Sequence, residues 1–256
     1  MLLHILQLNI YACTYFDNIQ KFFKENSFDI LQFQEVCGKG TRVGNIVCNR
    51  NNLEELQTLL GSTYHSELIK RSLFTSSPTA YEANATFWKD TLREVKKEII
   101  WLNKTDKPFP SEEKDFSTMG TAALALQFVI NDRPIWFINT HGAWSKSEKD
   151  TLAKEQQAAL LVDFIKKLAE PFILTGDFNA GNTTRTIQLL EKYSRNLAKE
   201  YGLTNTLNPR LHRAKVFPPG LAVDFIFTSP RVAVKDFTLI DEDLSDHLGL
   251  AVTIEV

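Results

Sequence analysis

Apolar runs of strand length recur along the chain, separated by segments with helical periodicity. The first two runs, residues 2–10 and 28–36, are almost continuously apolar, which is typical of strands that are buried on both faces. Residues 15–26, between them, carry phenylalanine and isoleucine at helical spacing and predict a helix. The chain therefore begins with the strand, helix, strand order of a layered α/β protein.

The rest of the pattern predicts mostly antiparallel strands with a few helices. Two apolar runs flank Asn-Asp-Arg at 131–133 and predict a hairpin. Residues 147–169 form the strongest helical pattern, with an apolar face that includes Leu152. Further strands are predicted at residues 64–69, 81–88, 92–102, 121–130, 134–140, 171–176, 221–229, 232–240 and 248–256, and further helices at 51–61, 183–190 and 194–200.

No stretch reads as a linker between domains, although residues 103–117 form a long polar loop with two prolines. We therefore expect residues 1–256 to form a single domain of the α/β (α+β) class, with antiparallel strand pairs in its sheets.

Composition narrows the class of protein only slightly. Hydrophobic residues make up 43% and charged residues 23%, as in ordinary soluble proteins. The formal net charge of −2 argues against a protein that coats nucleic acid without sequence preference, because such proteins are usually basic. Three cysteines, with no metal-ligand spacing, predict neither a disulfide framework nor a zinc site.

The first residues, MLLHILQLNI, lack the basic region and cleavage site of a signal peptide. No apolar run reaches the length of a membrane-spanning helix. A cytoplasmic protein with no membrane span is expected, and secretion after removal of a signal peptide stays open.

The segment LTGDFN, residues 174–179, ends an apolar run on an aspartate and an asparagine. Side chains two residues apart on an extended chain point to the same side, so Asp177 and Asn179 can face one ligand. The alternative is a polar turn that closes the strand, since Gly, Asp and Asn all favour turns.

Other apolar segments also end on, or contain, a polar or charged side chain. Charged side chains avoid apolar strands unless they are paired or bind a cation, so this repetition predicts a shared site. Oxygen-rich ligands favour Mg²⁺ or Mn²⁺ over zinc, and the histidines lack the close spacing of a zinc motif. The polar residues are Asn9, Glu35, His141 and the pair Asp246–His247 at segment ends, and Asp224 inside an apolar segment.

The motifs LNI, QEV, TH, GDFN, VDFIF and SDHLGL, in this order, resemble those of the endonuclease/exonuclease/phosphatase superfamily, which includes deoxyribonuclease I and exonuclease III. They run from Asn9 to His247 and so span most of the chain. The resemblance implies a four-layered sandwich in which two facing, mainly antiparallel sheets are flanked by helices. It also implies hydrolysis of a phosphate ester with Mg²⁺ as cofactor, Mn²⁺ being possible.

The resemblance implies a role for each matched residue. Glu35 corresponds to the principal metal ligand, with Asn9 and Asp246 assisting the metal. Asp177 corresponds to the residue that orients or deprotonates the attacking water, and Asn179 to an amide that holds a phosphate oxygen.

The remaining three matched residues surround the phosphate. His247 corresponds to a histidine that stabilises charge on the phosphate, Asp224 to the carboxylate that orients it, and His141 to a second histidine near the leaving group. Both residues also have purely structural alternatives. His141 could be a hydrogen-bonding residue at a strand end, and Asp224 could anchor the amide of a loop.

Three further residues are candidates for substrate binding. Asn84 lies in Ala83-Asn84-Ala85 where the family often has Gly-Asn-Ala, and Glu82 can instead face a histidine. Trp144 follows the TH motif and either lines the pocket or packs. Arg213 belongs to a loop, residues 205–220, that forms either a basic rim or a solvated surface.

The favoured function is a metal-dependent phosphodiesterase acting on DNA or RNA as a monomer. The alternatives are a phosphatase or phosphodiesterase for a small molecule or lipid headgroup, and a family member that binds nucleic acid or protein without turnover. The loops that would select the substrate differ widely between members of one fold.

Overall fold

The computed structural model describes residues 1–43, 46–110, 116–212 and 220–256. Short 3₁₀ turns at Tyr11–Cys13 and Phe116–Thr118 accompany the strands and α-helices in these ranges. The strands are β1 (Leu2–Asn9), β2 (Ile30–Cys37), β3 (Arg42–Val43), β4 (Ile46–Val47), β5 (Tyr64–Leu73), β6 (Tyr81–Lys89), β7 (Arg93–Asn103), β8 (Thr121–Ile130), β9 (Arg133–His141), β10 (Phe172–Asp177), β11 (Arg195–Asn196), β12 (Asp224–Thr228), β13 (Ala233–Ile240) and β14 (Gly249–Glu255). The helices are α1 (Phe16–Glu25), α2 (Asn52–Leu60), α3 (Leu152–Ile165), α4 (Arg185–Glu191) and α5 (Leu197–Glu200).

Twelve of these strands form two six-stranded sheets. The first has the order β13-β14-β1-β2-β6-β5, and the second has the order β11-β12-β10-β9-β8-β7. Each sheet contains one parallel pair, β1 with β2 and β9 with β10, and its other pairs are antiparallel. The predicted α/β class with two mainly antiparallel sheets is confirmed.

The two sheets face each other across an apolar core, and helices cover their outer faces. Leu124 and Phe137 of the second sheet pack in one cluster with Leu250 of the first. Ile19 of α1 and Leu56 of α2 pack in a separate cluster with the outer face of the first sheet. Helices α3 and α4 cover the second sheet in the same way, which completes the four layers.

The predicted helix over residues 147–169 is too long at both ends. Helix α3 begins after Thr151, whose side chain accepts a hydrogen bond from the backbone N–H of Lys154 at 3.3 Å. The Lys154 ammonium donates to the carbonyls of Ser147 and Lys149, which holds the preceding segment as a loop. Leu152, predicted on the apolar face, is 74% exposed because it lies in the first turn.

Smaller corrections concern the last third of the chain. The predicted helix over residues 194–200 is a two-residue strand followed by the single turn α5. The predicted strand over residues 221–229 is limited to Asp224–Thr228, because the preceding residues bond to the segment around Thr206. No helix among the described residues has the length and apolarity to cross a membrane.

A layer of buried amide side chains joins the two sheets beneath one edge of the sandwich. Gln34 of β2 donates to Asn139 of β9 across the sheets at 2.7 Å. Gln7 of β1 donates to Gln34 at 2.8 Å, and all three side chains are fully buried. Buried amides need partners, so these bonds define how the two sheets align at this edge.

Candidate active site

Strand register brings three of the predicted residues side by side. Asp177 pairs with His141 in the parallel β9–β10 ladder and with Asp224 in the antiparallel β10–β12 ladder. Asp224, expected inside an apolar segment, is in fact the first residue of its strand. Since β12 runs opposite to β10, its first residue lies at the same sheet edge as the last residue of β10.

Glu35 reaches this edge through an irregularity in β2. The pairing of β2 with β6 shifts register between Phe33 and Val36, and Glu35 has a φ of 56°. A positive φ is unusual for a residue with a side chain and is found where surrounding structure enforces it. The bulge directs the Glu35 carboxylate towards Asn9, whose side-chain amide donates to it at 3.0 Å.

The Asp177 carboxylate is held from several sides. Its Oδ1 accepts the backbone N–H of Asn179 at 2.8 Å, and its Oδ2 accepts the Asn9 amide at 3.1 Å. His141 Nε2 lies 3.5 Å and His247 Nε2 lies 3.8 Å from the same Oδ2. The structure therefore brings Asn9, Asp177 and both histidines together.

The two interpretations of LTGDFN describe one structure. Asn179 has a φ of 52° and donates its side-chain amide to the carbonyl of Gly142 at 3.2 Å, so the segment is a turn. Asp177, inside the same turn, accepts from the Asn179 backbone while presenting its other oxygen to the histidines. Gly176 is required here, because a Cβ would lie 2.0 Å from the Thr140 carbonyl oxygen.

His247 and Asp224 form a close buried pair. Asp224 Oδ2 lies 2.8 Å from His247 Nδ1, and Asp224 Oδ1 accepts the side-chain amide of Gln7 at 3.1 Å. Although burial alone would lower the pKa of His247, the negative charges of Asp224 and Asp177 raise it well above its usual value. The two carboxylates therefore favour the protonated form of His247.

A second buried cluster surrounds His141 and includes Arg71, which the sequence did not place in the site. Arg71 pairs with Glu82 and lies 3.1 Å from His141 Nδ1 through its Nη2. Burial opposes ionisation of Glu82, but Arg71 and His141 lower its pKa to about 2. Only the alternative role of Glu82, facing a histidine, anticipated this cluster. Arg71 follows the buried Ile69 by two residues on the same strand, which was the available signal.

The residues at this edge fit a hard cation. Burial and the nearby charge of Glu82 raise the pKa of Glu35 to about 7. Burial also raises the pKa of Asp246. Ligand atoms of Glu35, Glu82 and His141 lie within 4.8 Å of one another, but Arg71 already neutralises Glu82. Glu35 could therefore supply an oxygen ligand, with Asn9 and Asp246 near it.

The three substrate-binding candidates fare differently. Asn84 is buried and donates to the carbonyl of Ala122 at 2.8 Å, between the sheets. Trp144 is 39% exposed and packs edge-to-face on Phe116, with 5.3 Å between ring centroids. Arg213 lies outside the described residues.

Comparison with known proteins shows the family of the chain. The Endonuclease/Exonuclease/phosphatase family model matches residues 6–247, which include every motif residue from Asn9 to His247. The chain belongs to this family. No curated protein sequence gives a significant match.

Solved structures of this family share the fold at low sequence identity. An endonuclease/exonuclease/phosphatase from Bacteroides vulgatus is 19% identical, with a TM-score of 0.74 over 100% of this chain and 99% of its own. A mannosyl-6-phosphatase from Bacteroides thetaiotaomicron is 18% identical, with a TM-score of 0.73 over 99% and 100%. The human Nocturnin catalytic domain is 16% identical, with a TM-score of 0.70 over 99% and 93%.

Proposed function

We propose that this protein is a divalent-metal-dependent phosphoester hydrolase with Asp177 at its catalytic centre. The observation that carries the proposal is the convergence of Asn9, His141 and His247 on one oxygen of Asp177, within 3.8 Å. Hydrolysis of a phosphate ester needs an aligned water, neutralised phosphate oxygens and a stabilised leaving oxygen. The site contains groups suited to each of these tasks.

Asp177 is the group that orients and deprotonates the attacking water. Its Oδ1 is occupied by the Asn179 backbone, which leaves Oδ2 as the oxygen that faces the site. A general base acts only when its acceptor atom is held within hydrogen-bonding reach of the water. The contacts of Asp177 with Asn9 and Asn179 hold the carboxylate in this position.

Two histidines act on the phosphate oxygens and the leaving group. His247, held as an imidazolium by Asp224, supplies positive charge that stabilises the developing negative charge. His141 supplies a hydrogen bond on the opposite side of Asp177, and the Asn179 amide is the candidate for a further phosphate contact.

A bound Mg²⁺ or Mn²⁺ would neutralise charge on the phosphate oxygens and draw the substrate towards the acidic edge. Glu35 would hold it, with Asn9 and Asp246 assisting. Asn9 donates its side-chain amide to Glu35 at 3.0 Å, which keeps that carboxylate directed into the site.

Charge pairing favours a small phosphorylated substrate. Three arginines of the described residues have acidic partners: Arg71 is buried against Glu82, Arg50 pairs with Glu55, and Arg210 pairs with Asp241. Paired cations contribute little to binding a polyanion, whose affinity depends on neutralised phosphates. The structural similarity to a mannosyl-6-phosphatase supports the same substrate class.

Nucleic acid, the substrate class favoured by the sequence, remains the second candidate. The exposed Trp144 beside Phe116 follows His141 by three residues and offers a face on which a base can stack. The nuclease activity stays a prediction.

A substrate panel tests both classes. Sugar phosphates, an inositol polyphosphate, bis-p-nitrophenyl phosphate, plasmid DNA, an abasic-site duplex and RNA would each be incubated with Mg²⁺, with Mn²⁺ and with EDTA. We expect metal-dependent release of phosphate from a small ester, lost in Glu35→Ala. Metal-dependent nicking with no release from small esters would move the assignment to a nuclease, and inactivity on every substrate would contradict catalysis.

A further inference from the structure

We propose that His212 contacts the substrate phosphate beside His247 and makes the site select phosphomonoesters over phosphodiesters. His212 belongs to the loop that follows residue 204, outside all of the motifs that mark the family. This role rests on the proposed phosphoester hydrolysis and adds a substrate class to it.

The segment that precedes this histidine is tied to the SDH motif by hydrogen bonds. Leu207 and His247 form an antiparallel bridge. Asn208, which is fully buried, donates its backbone N–H to the carbonyl of Asp246 at 2.8 Å and its side-chain amide to the carbonyl of Ser245 at 3.1 Å. Because buried amides need partners, these bonds hold the segment against the site.

A closed turn then places His212 next to the same motif. Its backbone N–H donates to the carbonyl of Asn208 at 2.8 Å, and the Arg210 backbone N–H donates to the Asn208 side-chain oxygen at 3.0 Å. The Arg210 guanidinium also lies 2.5 Å from the Asp243 carboxylate. Although His212 is part of a loop, these tertiary contacts determine where its ring lies.

The His212 ring lies against two side chains of the site. Its centroid is 6.0 Å from that of the His247 ring, in an edge-to-face arrangement. One nitrogen of each ring and one carboxylate oxygen of Asp246 all lie within 4.8 Å of one another. His212 is partly exposed, whereas His247 and Asp246 are each only 8% exposed. The His212 ring therefore lies nearer to solvent, on the side from which a substrate approaches.

An imidazole in this position can donate to an anion. A histidine ring carries at least one N–H in either protonation state, so this role does not depend on the charge of His212. Joint binding of a cation by the two rings is disfavoured, because carboxylates face both nitrogens of His247, Asp224 at 2.8 Å and Asp177 at 3.8 Å. Adjacent N–H donors instead suit the oxygens of a phosphate group.

The number of donors bears on the class of substrate. A phosphomonoester presents one more terminal oxygen, and more negative charge, than a phosphodiester. The proposed contacts of the two other histidines and of the Asn179 amide serve the oxygens that both ester types share. A further donor at His212 therefore gains most from the additional charged oxygen of a monoester, since hydrogen bonds to charged acceptors are the strong ones.

A role confined to Asp246 is the competing interpretation of His212. Its ring nitrogen lies within 4.8 Å of an Asp246 oxygen and could orient that carboxylate towards a metal ion. A metal ion neutralises phosphate oxygens in monoesters and diesters alike. Loss of a histidine that acted only through Asp246 would therefore slow both reactions equally, which separates the two roles.

A pair of esters with the same leaving group tests the proposal. The ratio kcat/KM would be measured with Mg²⁺ for p-nitrophenyl phosphate, a monoester, and for bis-p-nitrophenyl phosphate, a diester. We expect the wild type to prefer the monoester. His212→Ala should lower kcat/KM for the monoester by about 10- to 100-fold, as loss of one hydrogen bond to a charged oxygen predicts. The value for the diester should stay near that of the wild type.

His65→Ala is the matched control. His65 is an exposed histidine near the start of β5, at the end of the strand away from Arg71, and its ring centroid lies 5.9 Å from that of Trp88. This variant should change neither value of kcat/KM. His212→Ser would replace His212→Ala if the alanine variant did not fold. Equal losses on both esters, no loss on either, or a wild-type preference for the diester would overturn the proposal.

Binding of inorganic phosphate separates this contact from the proposed hydrolysis. Isothermal titration in Mg²⁺ needs no turnover, and His212→Ala should raise the Kd for phosphate about tenfold while His65→Ala leaves it unchanged. If the wild type hydrolysed no ester, weaker phosphate binding by His212→Ala would still support the contact and would contradict the proposed function. An active wild type with the same phosphate affinity and ester preference as His212→Ala would contradict the contact and leave the proposed function standing.

Discussion

Two hydrogen bonds and two histidines surround the Asp177 carboxylate. Asn9 and the Asn179 backbone donate to its two oxygens, and the Nε2 atoms of His141 and His247 lie 3.5 and 3.8 Å from Oδ2. The two hydrogen bonds hold the carboxylate in one orientation, which is the condition for it to align a water molecule. Its role depends on charge as well as shape, and an isosteric substitution separates the two.

Asp177→Asn should reduce kcat by about 10³-fold, because the amide keeps the shape but cannot accept the proton of the water. Hydrolysis of a small phosphoester and far-ultraviolet circular dichroism would be measured together. The matched control is Asp163→Asn, which makes the same change at an exposed position of α3. Activity close to wild type in a folded Asp177→Asn protein would rule out the assigned role.

Glu35 gives a prediction about stability and pH. Its pKa in the metal-free fold is about 7, above its ordinary value of 4.5. The folded protein therefore binds this proton more tightly than the unfolded chain. The contribution of Glu35 to the free energy of unfolding is greatest below pH 4.5 and declines as the pH rises towards 7. Glu35→Gln cannot ionise and should not show this loss.

Thermal unfolding in EDTA would measure the effect. At pH 8 we expect Glu35→Gln to melt roughly 5 °C above the wild type, as a change of one to two kcal/mol does in a domain of this size. At pH 5 the two should nearly coincide, and Mg²⁺ should raise the melting temperature of the wild type alone. An equal difference at both pH values would show that the pKa of Glu35 is not raised.

At the scale of the elements, apolar periodicity predicted most strands to within a few residues. Continuous apolar runs such as β1 and β8 leave few alternatives to a buried strand. Helix ends were less predictable: α3 begins after the N-cap Thr151, and the Lys154 ammonium bonds to carbonyls of the preceding loop. The Thr151 cap was the available sequence signal, but the helical spacing of apolar residues continues beyond both ends of the helix.

Site residues on short motifs were predictable, whereas Arg71 was not. Asp177, Asn179 and Glu35 belong to recognisable segments at strand ends. Arg71 lies where β5 shifts register against β6, between Lys70 and Ser72, and its partner Glu82 is eleven residues away in a neighbouring strand. Arginine side chains are usually exposed, so nothing in the segment around Arg71 indicated a buried position.

Gly176 shows how one backbone position determines the geometry of the β9–β10 edge. It has a φ of 153°, and a Cβ would overlap the Thr140 carbonyl oxygen at 2.0 Å. Gly176→Ala should therefore destabilise the fold by about 2 kcal/mol or more and displace Asp177 from His141, with a large loss of activity.

Gly181→Ala is the matched control for Gly176→Ala. A Cβ at Gly181 would meet its nearest atom, the flexible side chain of Glu148, at 3.3 Å. Urea unfolding and kcat should both remain close to wild type in this variant. Equal stability of the two alanine variants would contradict the close approach of β9 and β10.

At the scale of the whole molecule, the buried amide layer couples the alignment of the sheets to the site. Asn139 of the second sheet donates to the carbonyls of Phe33 and Ala85 in the first, at 3.1 and 2.9 Å, and accepts from Gln34. It lies two residues before His141 on β9. Apolar packing holds the sheets together but is not directional. The hydrogen bonds of Asn139 are directional and therefore define one position of the second sheet relative to the first.

Asn139→Leu preserves the approximate volume but leaves two buried carbonyls and the Gln34 amide without this partner. Each buried group that loses its partner costs about 1–3 kcal/mol, so we expect a loss of at least about 3 kcal/mol in urea unfolding. Ile138→Val, the neighbouring buried position on the helix-facing side, should cost only about 1 kcal/mol.

Because His141 follows on the same strand, Asn139→Leu should also lower kcat when assayed below its unfolding midpoint, and Ile138→Val should not. A cost for Asn139→Leu no greater than that of Ile138→Val would mean that apolar packing alone aligns the sheets.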